Sequence, residues 1–307
     1  GSTQTLTVGT TAQNGDIVVA GDMNLGASYT TAVNLTKEGS GTMTFAKAGQ
    51  TLTGTVGAVQ LNNGNMTVGS AAQLDTLTTG AFTSKGTVDG LASNTTLTIA
   101  SGATVNANYT ATTNLFNGVL AGAGTFNAIG AADNAGITFG TTFAASNLTL
   151  KVGSTSIGSS DLNDYFKVSF GSGVSITVDT LEITGDTILD FGNGVNTLTS
   201  TNLIISNPNA KIYVMNWTSL SDAWYVNSLV NGSTHTANVF GGIPLDQITF
   251  QNYNGLTTTW VSGTVQGWLH NEIRPTPEPS TYGAILVSGC LGLLGWRRYR
   301  RSHPARK

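Results

Sequence analysis

Thr96-Leu97-Thr98-Ile99-Ala100-Ser101-Gly102-Ala103-Thr104-Val105 carries the reading of the fold. Leu97 and Ile99 alternate with Thr96 and Thr98, the period of a strand that hides one face. Threonine is β-branched, so it suits a strand while staying polar outside. Gly102, three residues past Ile99, supplies the positive φ of a tight corner, and Val105 opens the next inward position. The outline recurs as Val59-x-Leu61-x-x-Gly64 and as Val168-x-Phe170-x-x-Gly173-x-x-Ile176. Similar alternating runs stand at Thr5-Leu6-Thr7-Val8, at Thr42-Met43-Thr44-Phe45 and at Asn147-Leu148-Thr149-Leu150-Lys151-Val152.

Strand, corner and strand at this spacing are compatible with a sandwich, a barrel or a solenoid. A right-handed parallel β-helix is favoured, with a β-sandwich as the competing architecture. The segments are short, many and alike. Helical stretches that could serve as crossovers are nearly absent. Stacked coils also tolerate a thin core, because each coil is sealed by its neighbours.

Composition agrees with an all-β chain. Charged residues are 9% of the 307, against roughly 25% in ordinary globular proteins. There are 39 Gly, 49 Thr and 27 Asn, a mix that excludes a helical bundle and a charge-driven disordered chain. Net charge −3 excludes a basic nucleic-acid binder. The charge is uneven: residues 1–296 carry −9 and the last eleven carry +6, which marks the tail as a separate unit. The lone Cys290 excludes an intrachain disulfide framework and a cysteine-based zinc site. Gly1-Ser2-Thr3-Gln4 is expected to be a processed, truncated or tagged start, since no secretory leader pattern stands there.

The expected organisation is a β-helix over 1–205, a C-terminal β cap over 206–272, and a linker over 273–281. A short transmembrane helix over 282–296 and a basic cytoplasmic tail over 297–307 follow. All five tryptophans lie after position 216, in the cap and tail. Lys211–Trp217 and Gln247–Gln251 are expected as closing strands. Trp217, Trp224 and Trp260 are read chiefly as cap core, with a sugar-stacking platform as the functional alternative.

Leu35-Thr36-Lys37-Glu38-Gly39-Ser40-Gly41-Thr42-Met43-Thr44-Phe45 resembles the autotransporter-associated β-strand repeat, with Met43 and Phe45 where that family has Leu. Gly122-Ala123-Gly124-Thr125-Phe126 is a degenerate second copy without the Lys. The resemblance implies a β-helical rod at a cell surface and no catalytic activity.

The tail begins with Pro277-Glu278-Pro279-Ser280, held extended by its prolines. Tyr282–Trp296 carries no charge, and Arg297, Arg298, Arg300 and Arg301 follow. Fifteen helical residues span about 22 Å, short of a hydrocarbon core of about 30 Å. The apolar residues supply about −2 to −4 kcal/mol of insertion free energy, so the anchor is marginal. The arginines are expected to stay cytoplasmic, leaving residues 1–280 outside.

Pro-Glu-Pro, a short apolar helix and a terminal arginine cluster, in that order, resemble the PEP-CTERM protein-sorting signal. Pro277, Glu278 and Pro279 match its namesake motif, and Ser280 and Tyr282 its continuation. Asp246-Gln247-Ile248-Thr249-Phe250 and Asn271-Glu272-Ile273 are similar to the segment that precedes this signal in exported repeat proteins. The resemblance implies processing by an exosortase, a membrane protease of Gram-negative bacteria. It also implies passage through the inner membrane to the cell surface or the extracellular matrix. A signal peptide is the family's usual start, and its lack here is a departure.

Enzyme chemistry has thin support. The best acidic cluster, Asp179, Glu182, Asp186 and Asp190, is expected to scatter over the outer face rather than converge as a glycosidase pair does. His235, His270 and His303 share no metal-ligand spacing. No phosphate-binding loop and no nucleophile elbow occur. Asp161 and Asp164 are read as solvating a coil insertion, with a calcium loop as the alternative. The expected function is that of a non-enzymatic surface or matrix protein, without cofactor or metal. Its expected partners are the exosortase, the membrane and extracellular polysaccharide. A glycan-binding adhesin and a polysaccharide-degrading enzyme are the alternatives.

Overall fold

A computed structural model describes residues 95–112, 114–218, 221–231, 243–253, 256–260 and 271–276. It also describes shorter stretches before them: 4–8, 17–19, 23–24, 33–45, 52–53, 56–62, 64–68, 76–79, 82–84, 87–88 and 91–92.

The chain is an all-β parallel solenoid built on three faces. The first face is a ten-stranded sheet: Gln4–Val8, Val33–Lys37, Val56–Leu61, Phe82–Ser84, Leu115–Phe116, Gly136–Phe139, Phe166–Phe170, Thr187–Asp190, Ile212–Met215 and Ile248–Phe250. The second face has five strands: Ile17–Val19, Thr42–Phe45, Asn65–Val68, Thr96–Ile99 and Val119–Gly122. The third has seven: Thr76–Thr79, Thr104–Tyr109, Thr125–Gly130, Phe143–Ser154, Ser175–Ile183, Thr197–Ile205 and Ala223–Asn231. Every pairing within these faces is parallel, as between Thr104–Tyr109 and Thr125–Gly130. The chain completes about six turns between Phe82–Ser84 and Ile248–Phe250, with earlier rungs stacked below.

The alternation that the sequence shows is the alternation that packs. In Thr104–Tyr109 and Thr125–Gly130 every second residue is buried. Phe82, Phe116, Phe126, Phe139 and Phe143 form one run of ring contacts, with centroids 5.8 to 6.3 Å apart. Phe170, Phe191, Trp217 and Phe250 form a second run at 4.8 to 5.2 Å. Stacked rungs thus place aromatic rings against one another, worth about 0.5–1.5 kcal/mol per pair beyond burial.

The corner glycines behave as expected: Gly64, Gly102 and Gly173 have φ of 69°, 81° and 72°. They are not equivalent, however. Gly64 and Gly173 turn the chain off the first face, whereas Gly102 turns it from the second face to the third.

Parallel stacking also continues past residue 205. Ile212–Met215 and Ile248–Phe250 extend the first face and Ala223–Asn231 extends the third. Two segments expected to close a cap are therefore further rungs, because their inward Ile212, Val214, Ile248 and Phe250 repeat the buried pattern. A small antiparallel sheet, Ile243–Pro244, Thr257–Trp260 and Ile273–Thr276, lies beside them. It is joined to the stack by a bridge between Tyr225 and Glu272 and by hydrogen bonds from the Thr258 hydroxyl to the Ile248 carbonyl and from the Val226 N–H to the Asn271 carbonyl.

Candidate functional site

The charged groups of the rungs between Phe143 and Met215 were the candidates for chemistry, and the structure ties each to a structural partner. Asp186, expected on the outer face, is fully buried. Its carboxylate accepts the backbone N–H of Gly158 at 2.9 Å, of Ser159 at 2.7 Å and of Lys211 at 2.7 Å. The reason is the insertion over residues 155–164, whose unpaired amides need an acceptor once they lie against the next rung. The Lys211 ammonium and the Tyr165 hydroxyl both donate to the Ser159 carbonyl, at 2.8 and 3.1 Å. Burial, with the charges of Asp186 and Asp164, pushes the Tyr165 phenol up to about 12.

Asp161 and Asp164 act inside this insertion. Asp161 caps the short helical turn Leu162–Asp164 by accepting from the Asn163 N–H at 3.0 Å. Asp164 accepts from the Ser159 hydroxyl at 2.6 Å. Among the described residues no group of three His, Cys, Asp or Glu could hold a metal ion.

Asp190 is mostly buried and meets Lys167 at 2.6 Å. It also accepts from the Asn216 side chain at 2.6 Å and from the Gly192 N–H at 2.9 Å. Glu182 pairs with Lys151 at 2.8 Å and accepts from the Ser206 hydroxyl at 2.6 Å. Burial alone would raise both acids, but their lysine partners and hydrogen bonds outweigh it and hold each below its ordinary value. Asp179 accepts from the Thr180 hydroxyl at 3.0 Å. Each of the four acids thus has its own set of partners, and Asp186 departs from the outer face on which all four were expected.

A second polar motif was not legible in the sequence. Asn196 is fully buried at a corner, accepts from the Val174 N–H at 2.7 Å and donates to the Phe191 carbonyl. Its own N–H donates to Asp222 at 2.9 Å. Asn114 plays the same part at another corner, donating to Ala111 and Gly136 at 2.9 and 2.8 Å. Among the 27 asparagines, no local sequence pattern marks these two as buried.

Lys37, inside the repeat-like stretch, is buried and donates to the carbonyls of Glu38 and Gly39 at 2.6 and 2.8 Å. The ammonium folds back on its own corner and satisfies carbonyls that the turn leaves over.

Trp217, Trp224 and Trp260 are 5%, 0% and 7% exposed. Trp217 stacks edge-on to Phe191 and Phe250, and the Trp260 indole N–H donates to the Val226 carbonyl at 2.7 Å. A sugar-stacking platform needs an open ring face, and these three rings are spent on the core. Glu272 is buried near Arg274 at 3.5 Å, and burial raises its carboxyl despite that guanidinium.

Pro277, Glu278, Pro279, Ser280, Arg297, Arg298, Arg300 and Arg301 lie outside the described residues, as do the expected helix over 282–296 and the three histidines. Among the described residues no helix is long and apolar enough to cross a membrane. No family model, no curated protein and no solved structure matches the chain.

Proposed function

We propose that this chain is an exported, non-enzymatic rod of a bacterial surface or extracellular matrix, sorted through its C-terminal segment. The observation that carries the reading is the order of three signals in the last 31 residues. Pro277-Glu278-Pro279 comes first, then the uncharged run 282–296, then the arginines at 297, 298, 300 and 301. Each element alone is common, and the sequence of all three fits a membrane-tethered protease substrate. On this reading an exosortase-type protease recognises the extended proline motif. The arginines hold the tail on the cytoplasmic side.

The finer architecture belongs to the same proposal. The coil is right-handed, as parallel strand connections overwhelmingly are. The antiparallel strands up to Thr276 serve as the terminal cap, which an open stack requires. The 282–296 segment is a short membrane helix.

The way the rod uses its charge supports a structural role. Asp186, Asp190, Glu182 and Asp222 bind neighbouring rungs. No cofactor enters the proposal. The matrix partner is extracellular polysaccharide, met by the threonine-rich outer faces.

The test is replacement of Pro277-Glu278-Pro279 by three alanines in a host that carries an exosortase. The substituted protein should stay unprocessed in the inner membrane while the parent is cut and released. Identical processing and location of the two would end the reading.

A further inference from the structure

Six Asn-Gly steps occur in the sequence, and two lie wholly among the described residues: Asn117-Gly118 and Asn193-Gly194. We propose that Asn193 is a site of spontaneous deamidation selected by the fold, while the same fold protects Asn117.

The reaction needs no enzyme and no co-reactant but water. The backbone nitrogen of the following residue attacks the asparagine Cγ, the Cγ–Nδ2 bond breaks, and ammonia leaves. Water then opens the resulting five-membered imide at either carbonyl, giving aspartate or its isomer with the chain running through the side chain. Glycine as the follower offers the least obstruction. What remains is whether the side chain and the following N–H can swing together.

At Asn193 they can. The residue is exposed on the arc 192–195, next to Val195, which is 63% exposed. Among the described residues no hydrogen bond holds the Asn193 side chain or the Gly194 N–H. The arc lies over the Ser172–Gly173 corner of the preceding coil, where a Cβ on Gly194 would come 2.7 Å from the Ser172 hydroxyl oxygen, and its two ends are fixed. Asn196 clasps its base by donating to the Phe191 carbonyl, and the Asn196 N–H is fixed on Asp222 at 2.9 Å. On the other side the Gly192 N–H is fixed on Asp190 at 2.9 Å. The loop can therefore rearrange while both strands keep their register.

At Asn117 they cannot. Its N–H donates to the Ser84 carbonyl at 3.0 Å and its carbonyl accepts from the Thr141 hydroxyl at 2.7 Å. Its side-chain oxygen sits where a Cβ on Gly140 would be, which places it against the next rung. Gly118 is buried, with Thr95 filling the space beside its Cα. Rotating this backbone into the attacking geometry means opening the rung first.

The proposal stands independently of export and sorting. Its test is peptide mapping by mass spectrometry of the full chain aged in warm, mildly alkaline buffer, folded and in urea. In the folded protein Asn193 should convert about tenfold faster than Asn117 or more, which corresponds to ~1.4 kcal/mol or more of local opening at Asn117. In urea the two rates should converge. Equal rates in the folded chain would overturn the proposal. So would a gap that persists in urea, because local sequence rather than the fold would then set it. An Asn193→Ser variant should lose the signal at that arc and keep the parent's melting temperature.

Discussion

The rungs up to residue 130 and those after residue 143 solve the same turn differently. In the first group the second and third faces are separate short strands, such as Thr96–Ile99 and Thr104–Tyr109, with a glycine corner between them. In the second group the two faces fuse into one long strand, as in Phe143–Ser154, Ser175–Ile183 and Thr197–Ile205. The bend survives inside the strand as a break in alternation. Thr180 and Leu181 are buried in succession, and the pairing to the preceding strand shifts register between Ala145 and Thr149. Charge follows the same division. The fused rungs carry the Lys151–Glu182 and Lys167–Asp190 pairs and the buried Asp186. The difference teaches that the apolar interior is constant along the rod, while the means of turning the corner and tying rungs together is not.

If the interior is constant, removing a ring should cost the same in either half. Phe126 and Phe191 are both fully buried, each against two other aromatic rings. Phe126→Ala and Phe191→Ala should each lose about 3–5 kcal/mol, read from urea unfolding. A loss confined to one of them would break the idea of a single continuous core.

Polar ties should separate the halves. Asp186→Ala leaves three backbone amides without an acceptor and should cost about 2–4 kcal/mol. Hydrogen exchange should show Gly158, Ser159 and Lys211 losing protection while the rungs before residue 122 keep theirs. Uniform loss along the rod would mean that the insertion is not a local unit.

Corners should rank by what surrounds them. Gly122 has φ of 99°, and an added Cβ would fall 2.0 Å from the Ile99 carbonyl oxygen. Gly173 has φ of 72° with nothing within 4 Å of that position. Gly173→Ala should cost about 1 kcal/mol, the price of the left-handed conformation alone, and Gly122→Ala about 2 kcal/mol. Equal melting shifts would show that backbone freedom, not the close approach of stacked rungs, decides these sites.

The period of two and the corner glycines made the parallel stack legible, because both follow from local geometry. The assignment of each strand to a face was not legible. Val59–Leu61 and Leu97–Ile99 share an outline in sequence yet lie on different faces, since a solenoid corner looks alike wherever it stands. The extent of the stack beyond residue 205 was hidden by the tryptophans. Trp217 and Trp224 continue the interior with larger rings instead of ending it. Asp186 was invisible as a buried hub, because its three donors come from residues 25 to 28 positions away.

The smallest effect gives the sharpest sign. Glu182, held by Lys151, has a lowered carboxyl in the folded state, so the pair contributes stability above the ordinary value of 4.5. That contribution is lost as pH falls through the lowered folded value. Asp190, held by Lys167, behaves alike relative to 3.8. Glu272 runs the other way. Its raised carboxyl means that the folded state prefers the proton, so its contribution is present below the ordinary value and fades as pH rises through the folded one. Lys151→Ala should therefore cost only about 0.5 kcal/mol at neutral pH, since the pair is partly solvated. The gap between parent and variant should close in acid, where Glu182 takes up its proton and the ammonium loses its partner. A gap that stays open would assign the loss to the lysine's aliphatic stem packing on the third face.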